Sequence, residues 1–171
     1  GFTPVFAFDN DPVCIETYRN NIGKHAFVGD AAVMTRRCME ALLGKSLGNV
    51  VVVAGGPPCQ GFSVQRRGSD SDVRNNLVLD FARIAIEIRP AFIIMENVGG
   101  LLSERGATYM YALKTQLGRA GYRINIRKLD AFDYGVPQHR KRVVIVAQQP
   151  TKTNFPFEFP DSLRPNPNYP A

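Results

Sequence analysis

The chain has 171 residues, 44% hydrophobic and 21% charged, enough for a single soluble domain with a sizeable core. Twenty-one Lys and Arg against fifteen Asp and Glu leave a net charge of +6, which favours polyanionic partners over acidic surfaces of its own. No apolar run approaches the roughly 20 residues that span a bilayer, and GFTPVFAFDND lacks the basic start of a secretory signal. Three cysteines without CxxC spacing argue against a disulfide framework or a zinc site and fit a reducing compartment.

Taken in chain order, short apolar runs alternate with helix-period segments, the pattern of an α/β fold with a largely parallel sheet and helices on its faces. PVFAF (4–8) predicts a strand, after which Asp11 and Pro12 supply an N-cap and a first-turn proline for a helix through Tyr18. AFVGD (26–30) predicts a short strand, TRRCMEALLG (35–44) a helix and VVVVA (50–54) a buried strand. Between Asp72 and Arg89, Leu77, Phe81, Ile84 and Ile88 recur on one helical face, and Pro90 ends that helix. AFIIMENV (91–98) follows as a strand. A helix with Met110, Leu113 and Leu117 on one side closes at Gly121. YRINIRKL (122–129) and RVVIVA (142–147) then predict a β-ribbon across the loop DAFDYGVPQHRK. The core is expected to end near residue 149. Residues 150–171 hold half of the twelve prolines and no periodicity, which reads as a linker.

Ligands of open α/β sheets bind beyond the carboxyl ends of the strands, and four predicted strand ends carry polar residues there. Asp9 and Asp11 follow the first strand and Asp30 the second; two such carboxylates suit a ribose and an adenine amine, although an N-cap role explains Asp11 alone. The turn GGPPCQG follows VVVV. A lone cysteine is usually a small buried hydrophobe, but Cys59 sits outside the apolar run. Pro57 and Pro58 stiffen its turn while Gly55, Gly56 and Gly61 permit close backbone approach, a context that favours a positioned nucleophile. Cys14 and Cys38 lie inside helical patterns and read as core residues. Glu96 and Asn97 end a dry strand, so Glu96 is either solvated at the rim or a carboxyl with a raised pKa suited to general-acid work. Arg140 and Arg142, two apart, point the same way on an extended chain.

With these residues in view, the chain resembles the cytosine-5 DNA methyltransferase family. PPCQGFS (57–63) is similar to the family's nucleophile motif, ENV (96–98) to its glutamate motif and QHRKR (138–142) to its Gln-x-Arg-x-Arg motif, in the family's order. FDNDP (8–12), GD (29–30) and RNNLVLDFARI (74–84) resemble the weaker motifs, so the likeness covers roughly residues 1–149.

The resemblance implies a Rossmann-like methyltransferase fold, S-adenosylmethionine as cofactor, S-adenosylhomocysteine as product and no metal. The partner it implies is double-stranded DNA from which a cytosine is flipped. Cys59 would be the thiolate that adds to carbon 6, and Glu96 would protonate or hydrogen-bond ring nitrogen 3. Arg142 would hold the carbonyl oxygen at carbon 2, with Arg140 bracing the nucleophile loop or a phosphate. Pro58 would lie near the exocyclic amine and the cofactor, and Gln60, Ser63, Asn97 and Gln138 would complete the substrate side. Asp9 would hold the ribose hydroxyls, where the family usually has Glu; Asp30 would meet the adenine amine and Leu77 would make an apolar contact.

The family's glycine-rich Phe-x-Gly-x-Gly motif is expected upstream of Gly1, and its target recognition domain and closing C-terminal helix beyond residue 171. The expectation is a fragment or one chain of a two-chain enzyme, weakly active alone, in a bacterial cytoplasm or a eukaryotic nucleus. Two other readings stay open: RNA (tRNA) cytosine methylation, which the Gly-Phe-Ser after Cys59 and Gln60 disfavours, and a catalytically silent nucleic-acid-binding remnant.

Overall fold

A computed structural model describes residues 1–58 and 76–163. In chain order the elements are β1 (Ala7–Asp9), α1 (Pro12–Asn21), β2 (Ala26–Val28), α2 (Arg36–Leu43) and β3 (Val52–Gly55). They continue with α3 (Leu77–Ile88), β4 (Phe92–Asn97), α4 (Ala107–Arg119), β5 (Arg123–Asp130) and β6 (Lys141–Gln148). Among the described residues the strands form two sheets, a parallel pair β1-β2 and a four-stranded sheet ordered β3-β4-β6-β5. Only β3 and β4 run parallel in the larger sheet; β6 is antiparallel to both its neighbours.

Local chemistry accounts for the helix ends. Asp11 accepts the Val13 amide at 2.8 Å ahead of Pro12, and Thr35 accepts the Cys38 amide at 3.2 Å. Gly44 closes α2 in the left-handed region, where a side chain is disfavoured. Arg89 adopts the same conformation at the end of α3, which Pro90 cannot continue.

Two apolar clusters share α3. Val78, Ala82 and Ala85 pack with Ile93 and Met95 of β4, with Met110, Leu113 and Leu117 of α4, and with Val143, Ile145 and Ala147 of β6. Ile84 and Ile88, on an adjacent stripe of the same helix, pack with Met34, Met39 and Leu47, joined by Phe6, Phe8, Val50 and Val53. Each fully buried Leu, Ile or Met side chain contributes roughly 1.5–3 kcal/mol, so α3 ties the two sheets together.

Two sequence expectations change. The VVVV run is not a buried strand: β3 pairs only with β4 among the described residues, and Val51 keeps 48% of its surface exposed. An apolar run reports propensity but not whether both neighbours are present. Cys14 and Cys38 are not core residues either; both are exposed. α1 buries only Ile15 and α2 only Met39, so each helix has a core stripe too narrow to reach its cysteine.

Residues 150–163, read as the start of a linker, run back along the sheet. The buried Gln148 receives the Phe157 amide on its Oε1 at 2.8 Å and donates Nε2 to Thr153 Oγ1 at 2.8 Å. The Arg127 guanidinium lies 5.0 Å from the Phe159 ring centre, and the Leu163 amide donates to the Asp133 carbonyl at 2.9 Å.

Candidate active site

The register of the larger sheet brings three strand ends to one edge. β3 and β4 run parallel, so Gly55 and Asn97 both point their following turns toward that edge. Because β6 is antiparallel to β4, it delivers its first residues there instead of its last: Asn97 pairs with Val143 and Glu96 with Val144. Arg142 therefore stands one residue beyond the ladder, beside Glu96.

Arg142 Nε meets Glu96 Oε1 at 2.7 Å, a charge-assisted bond. The Glu96 side chain is 47% exposed at this edge. Arg142 also donates Nη1 to the Lys141 carbonyl at 2.9 Å, fixing the plane of its guanidinium. A carboxylate and a guanidinium held side by side at a sheet edge can meet a ring that offers a nitrogen next to a carbonyl oxygen.

The turn after β3 is bracketed to this pair. Asn97, only 4% exposed, donates Nδ2 to the Pro57 carbonyl at 3.0 Å and accepts the Val98 amide on Oδ1 at 2.8 Å. A Cβ at Gly56 would lie 3.5 Å from Glu96 Oε2, so this backbone passes directly beside the carboxylate. A Cβ at Gly55 would lie 2.6 Å from the Phe81 ring, so glycine is required there by α3. Pro58 is exposed at the far end of the turn. Cys59, Gln60 and Ser63 lie outside the described residues.

Arg140 and Gln138 stand in the loop before β6, both exposed. That loop hangs on Asp130, which sequence reasoning missed. Its Oδ1 accepts the Phe132 amide at 3.2 Å and the Arg140 amide at 2.9 Å, and its Oδ2 lies 3.1 Å from His139 Nδ1. The bond with His139, helped by the two amides, holds the Asp130 carboxyl below the usual range. The His139 ring stacks on Phe132 with centres 4.2 Å apart. An Asp opening a loop between ribbon strands is the signal that could have found this bracket, since aspartate readily caps such turns.

Asp9 and Asp30 stand at the ends of β1 and β2, and Leu77 belongs to α3 itself. Asp9 ends β1 and accepts the Asp11 amide on Oδ1 at 2.9 Å; Asp30 follows β2 and accepts the Ala32 amide on Oδ1 at 2.9 Å. Each has an Oδ2 without a partner among the described residues, which fits a ligand that presents hydroxyls and an amine. Leu77, half-buried, opens α3. A second missed residue, Arg83, donates to three backbone carbonyls of the turn that carries Asp30.

Comparison with known proteins identifies the family. The family model described as C-5 cytosine-specific DNA methylase matches residues 1–170. The chain is 38% identical to the type II methyltransferase M.AgeI of Thalassovita gelatinovora, an alignment covering 85% of this chain and 34% of that protein. It is 36% identical to M.AquIA of a Picosynechococcus species, over 94% of this chain and 68% of that protein. The chain thus spans about a third of M.AgeI and about two thirds of M.AquIA. Among solved structures, a prophage-encoded E. coli protein described as a DNA modification methyltransferase superposes with TM-score 0.77 at 27% identity, covering 88% of this chain and 41% of that one. The chain belongs to the C-5 cytosine-specific DNA methylase family.

Proposed function

We propose that this chain carries the catalytic core of a DNA (cytosine-5) methyltransferase that works on a base turned out of the duplex. The observation that supports this most is the Glu96–Arg142 pair at 2.7 Å, set beside the bracketed Pro57–Pro58 turn that leads into Cys59.

Carbon 5 of cytosine is a weak nucleophile, and the proposed role of Cys59 is to change that. Its thiolate adds to carbon 6 while Glu96 delivers or shares a proton at ring nitrogen 3, so the electron pair reaches carbon 5 as an enamine. S-adenosylmethionine, when bound, supplies an electrophilic methyl group. Loss of the proton from carbon 5 then expels the Cys59 thiolate and restores the aromatic ring. Arg142 holds the oxygen at carbon 2 and keeps Glu96 oriented; Arg140 meets the nucleophile loop or a backbone phosphate. Asn97 keeps the turn in place through the Pro57 carbonyl. Pro58, Gln60, Ser63 and Gln138 line the base, and Asp9, Asp30 and Leu77 hold the nucleoside of the cofactor. The net charge of +6 favours the DNA backbone. The reaction is assayed with a second chain or further segments of the enzyme supplied.

The test is covalent trapping. DNA carrying 5-fluorocytosine, incubated with S-adenosylmethionine and the protein, should yield an adduct stable to denaturing electrophoresis, because fluorine at carbon 5 blocks the elimination. Cys59→Ser should abolish it. Absence of any adduct across a mixed-sequence DNA pool would sink the proposal, and an adduct on tRNA alone would replace DNA with RNA as substrate.

A further inference from the structure

Helix α3 carries Arg83 on its polar stripe with Asp80 and Glu87, flanked in sequence by the buried Ala82 and Ile84. Its guanidinium reaches the turn after β2, 49 to 52 residues upstream. Nη1 donates to the Met34 carbonyl at 2.9 Å, and Nη2 to the carbonyls of Ala31 at 2.7 Å and Ala32 at 3.2 Å. Asp80 stands behind it at 3.4 Å.

The same turn is held from within by Asp30. Its side chain takes the Ala32 amide at 2.9 Å and its carbonyl takes the Met34 amide at 2.9 Å. The amides of the turn are therefore committed to Asp30 and its carbonyls to Arg83. With Oδ1 so engaged, the direction of Asp30 Oδ2 follows the turn, and the turn follows α3. Leu77 sits on that helix, six positions before Arg83.

We propose that Arg83 is a positioning residue for the cofactor: it fixes the 30–34 turn to α3, so that the Asp30 carboxylate and Leu77 keep a constant spacing across the nucleoside. The inference rests on the reading of Asp30 as a cofactor contact. Arginine suits the task because its planar fork offers several donors in fixed directions, whereas lysine brings a point charge on a flexible stem.

The test measures S-adenosylhomocysteine binding by titration calorimetry, together with melting temperature, for the wild type, Arg83→Met, Arg83→Lys, Asp30→Ala and the Arg83→Met/Asp30→Ala double variant. Methionine keeps an apolar stem over the core but donates nothing. Arg83→Met should weaken binding by about tenfold, and lysine should recover part of the loss. The double variant should bind no worse than Asp30→Ala alone, because Arg83 acts through that carboxylate. Independent losses that multiply in the double variant, or Arg83→Met binding like the wild type while Asp30→Ala is weak, would overturn the positioning role. Asp30→Ala binding like the wild type would instead overturn the cofactor reading of Asp30, and the inference with it. Should Arg83→Met fail to fold, Arg83→Lys alone and combined with Asp30→Ala carries the same comparison.

Discussion

The two sides of the candidate site are built by different means. On the β4–β6 side, an antiparallel ladder sets the spacing of Glu96 and Arg142, and side chains bracket only the flanking turns, Asn97 on the Pro57 carbonyl and Asp130 on the Arg140 amide among the described residues. On the β1–β2 side the ladder is three residues long, and the loop that bears Asp30 is placed by Arg83 reaching across from α3. A sheet register is hard to shift because a one-residue slip exchanges the faces of the whole strand. A loop held by one guanidinium can be released by one substitution. Catalytic geometry should thus tolerate loss of peripheral contacts better than cofactor geometry does.

The largest effect expected is functional and falls on the ladder side. Glu96→Gln should lower methyl transfer by about 10²–10⁴-fold, the usual contribution of a positioned acid or base. Its unfolding free energy should move by only about 0.2–1 kcal/mol, since the pair is half-exposed. Kinetics beside urea denaturation decide this, and an equal collapse of both would show that Glu96 is structural.

Asn97→Ala comes next. It leaves the Pro57 carbonyl and the Val98 amide without their side-chain partner, at a cost of about 1–3 kcal/mol in urea unfolding. An unchanged midpoint would mean that the bracket on the turn is not needed.

Asp130 gives a pH-dependent effect. Its carboxyl is held low in the folded protein, first by His139, so its stabilisation is complete above the unfolded value near 3.9 and is lost as pH falls through the folded value. Asp130→Asn should be less stable than the wild type at neutral pH, and the gap should close in acid. A gap that stays constant down to about pH 2 would remove Asp130 from the acid transition.

The smallest effect concerns the two described thiols. The Thr35 hydroxyl, 3.1 Å from Cys38 Sγ, lowers the Cys38 pKa, whereas Asp11 raises that of Cys14. Iodoacetamide should modify Cys38 before Cys14 by mass spectrometry at neutral pH, and Thr35→Val should shrink the difference.

The elements themselves were legible because their signals are local. Asp11–Pro12, Thr35 and Gly44 bound helices where capping chemistry predicts, and the ribbon of β5 and β6 follows its alternation. Glu96 and Arg142 were legible as candidates because a charge breaks an apolar run at a strand end. Their contact was not, since it depends on the direction of β6. The exposed Val51, Cys14 and Cys38 were misread for a related reason: hydropathy describes a residue, while burial depends on what the tertiary structure sets against it. Arg83 and Asp130 escaped notice because most of their partners are backbone atoms, and a backbone carbonyl or amide leaves no trace in the sequence.

The return of residues 150–163 has a mechanical consequence. β6 leaves the site edge and runs eight residues away from it, about 26 Å at strand spacing. The segment that follows retraces this path, held by Gln148, Arg127 and finally Asp133, whose carbonyl receives Leu163 in the loop before β6. Tyr134 of the same loop donates its hydroxyl to the Pro160 carbonyl at 3.2 Å. The segment therefore works as a measured tether: a residue inserted or deleted between 153 and 160 would be felt as slack or strain in the loop that presents Arg140.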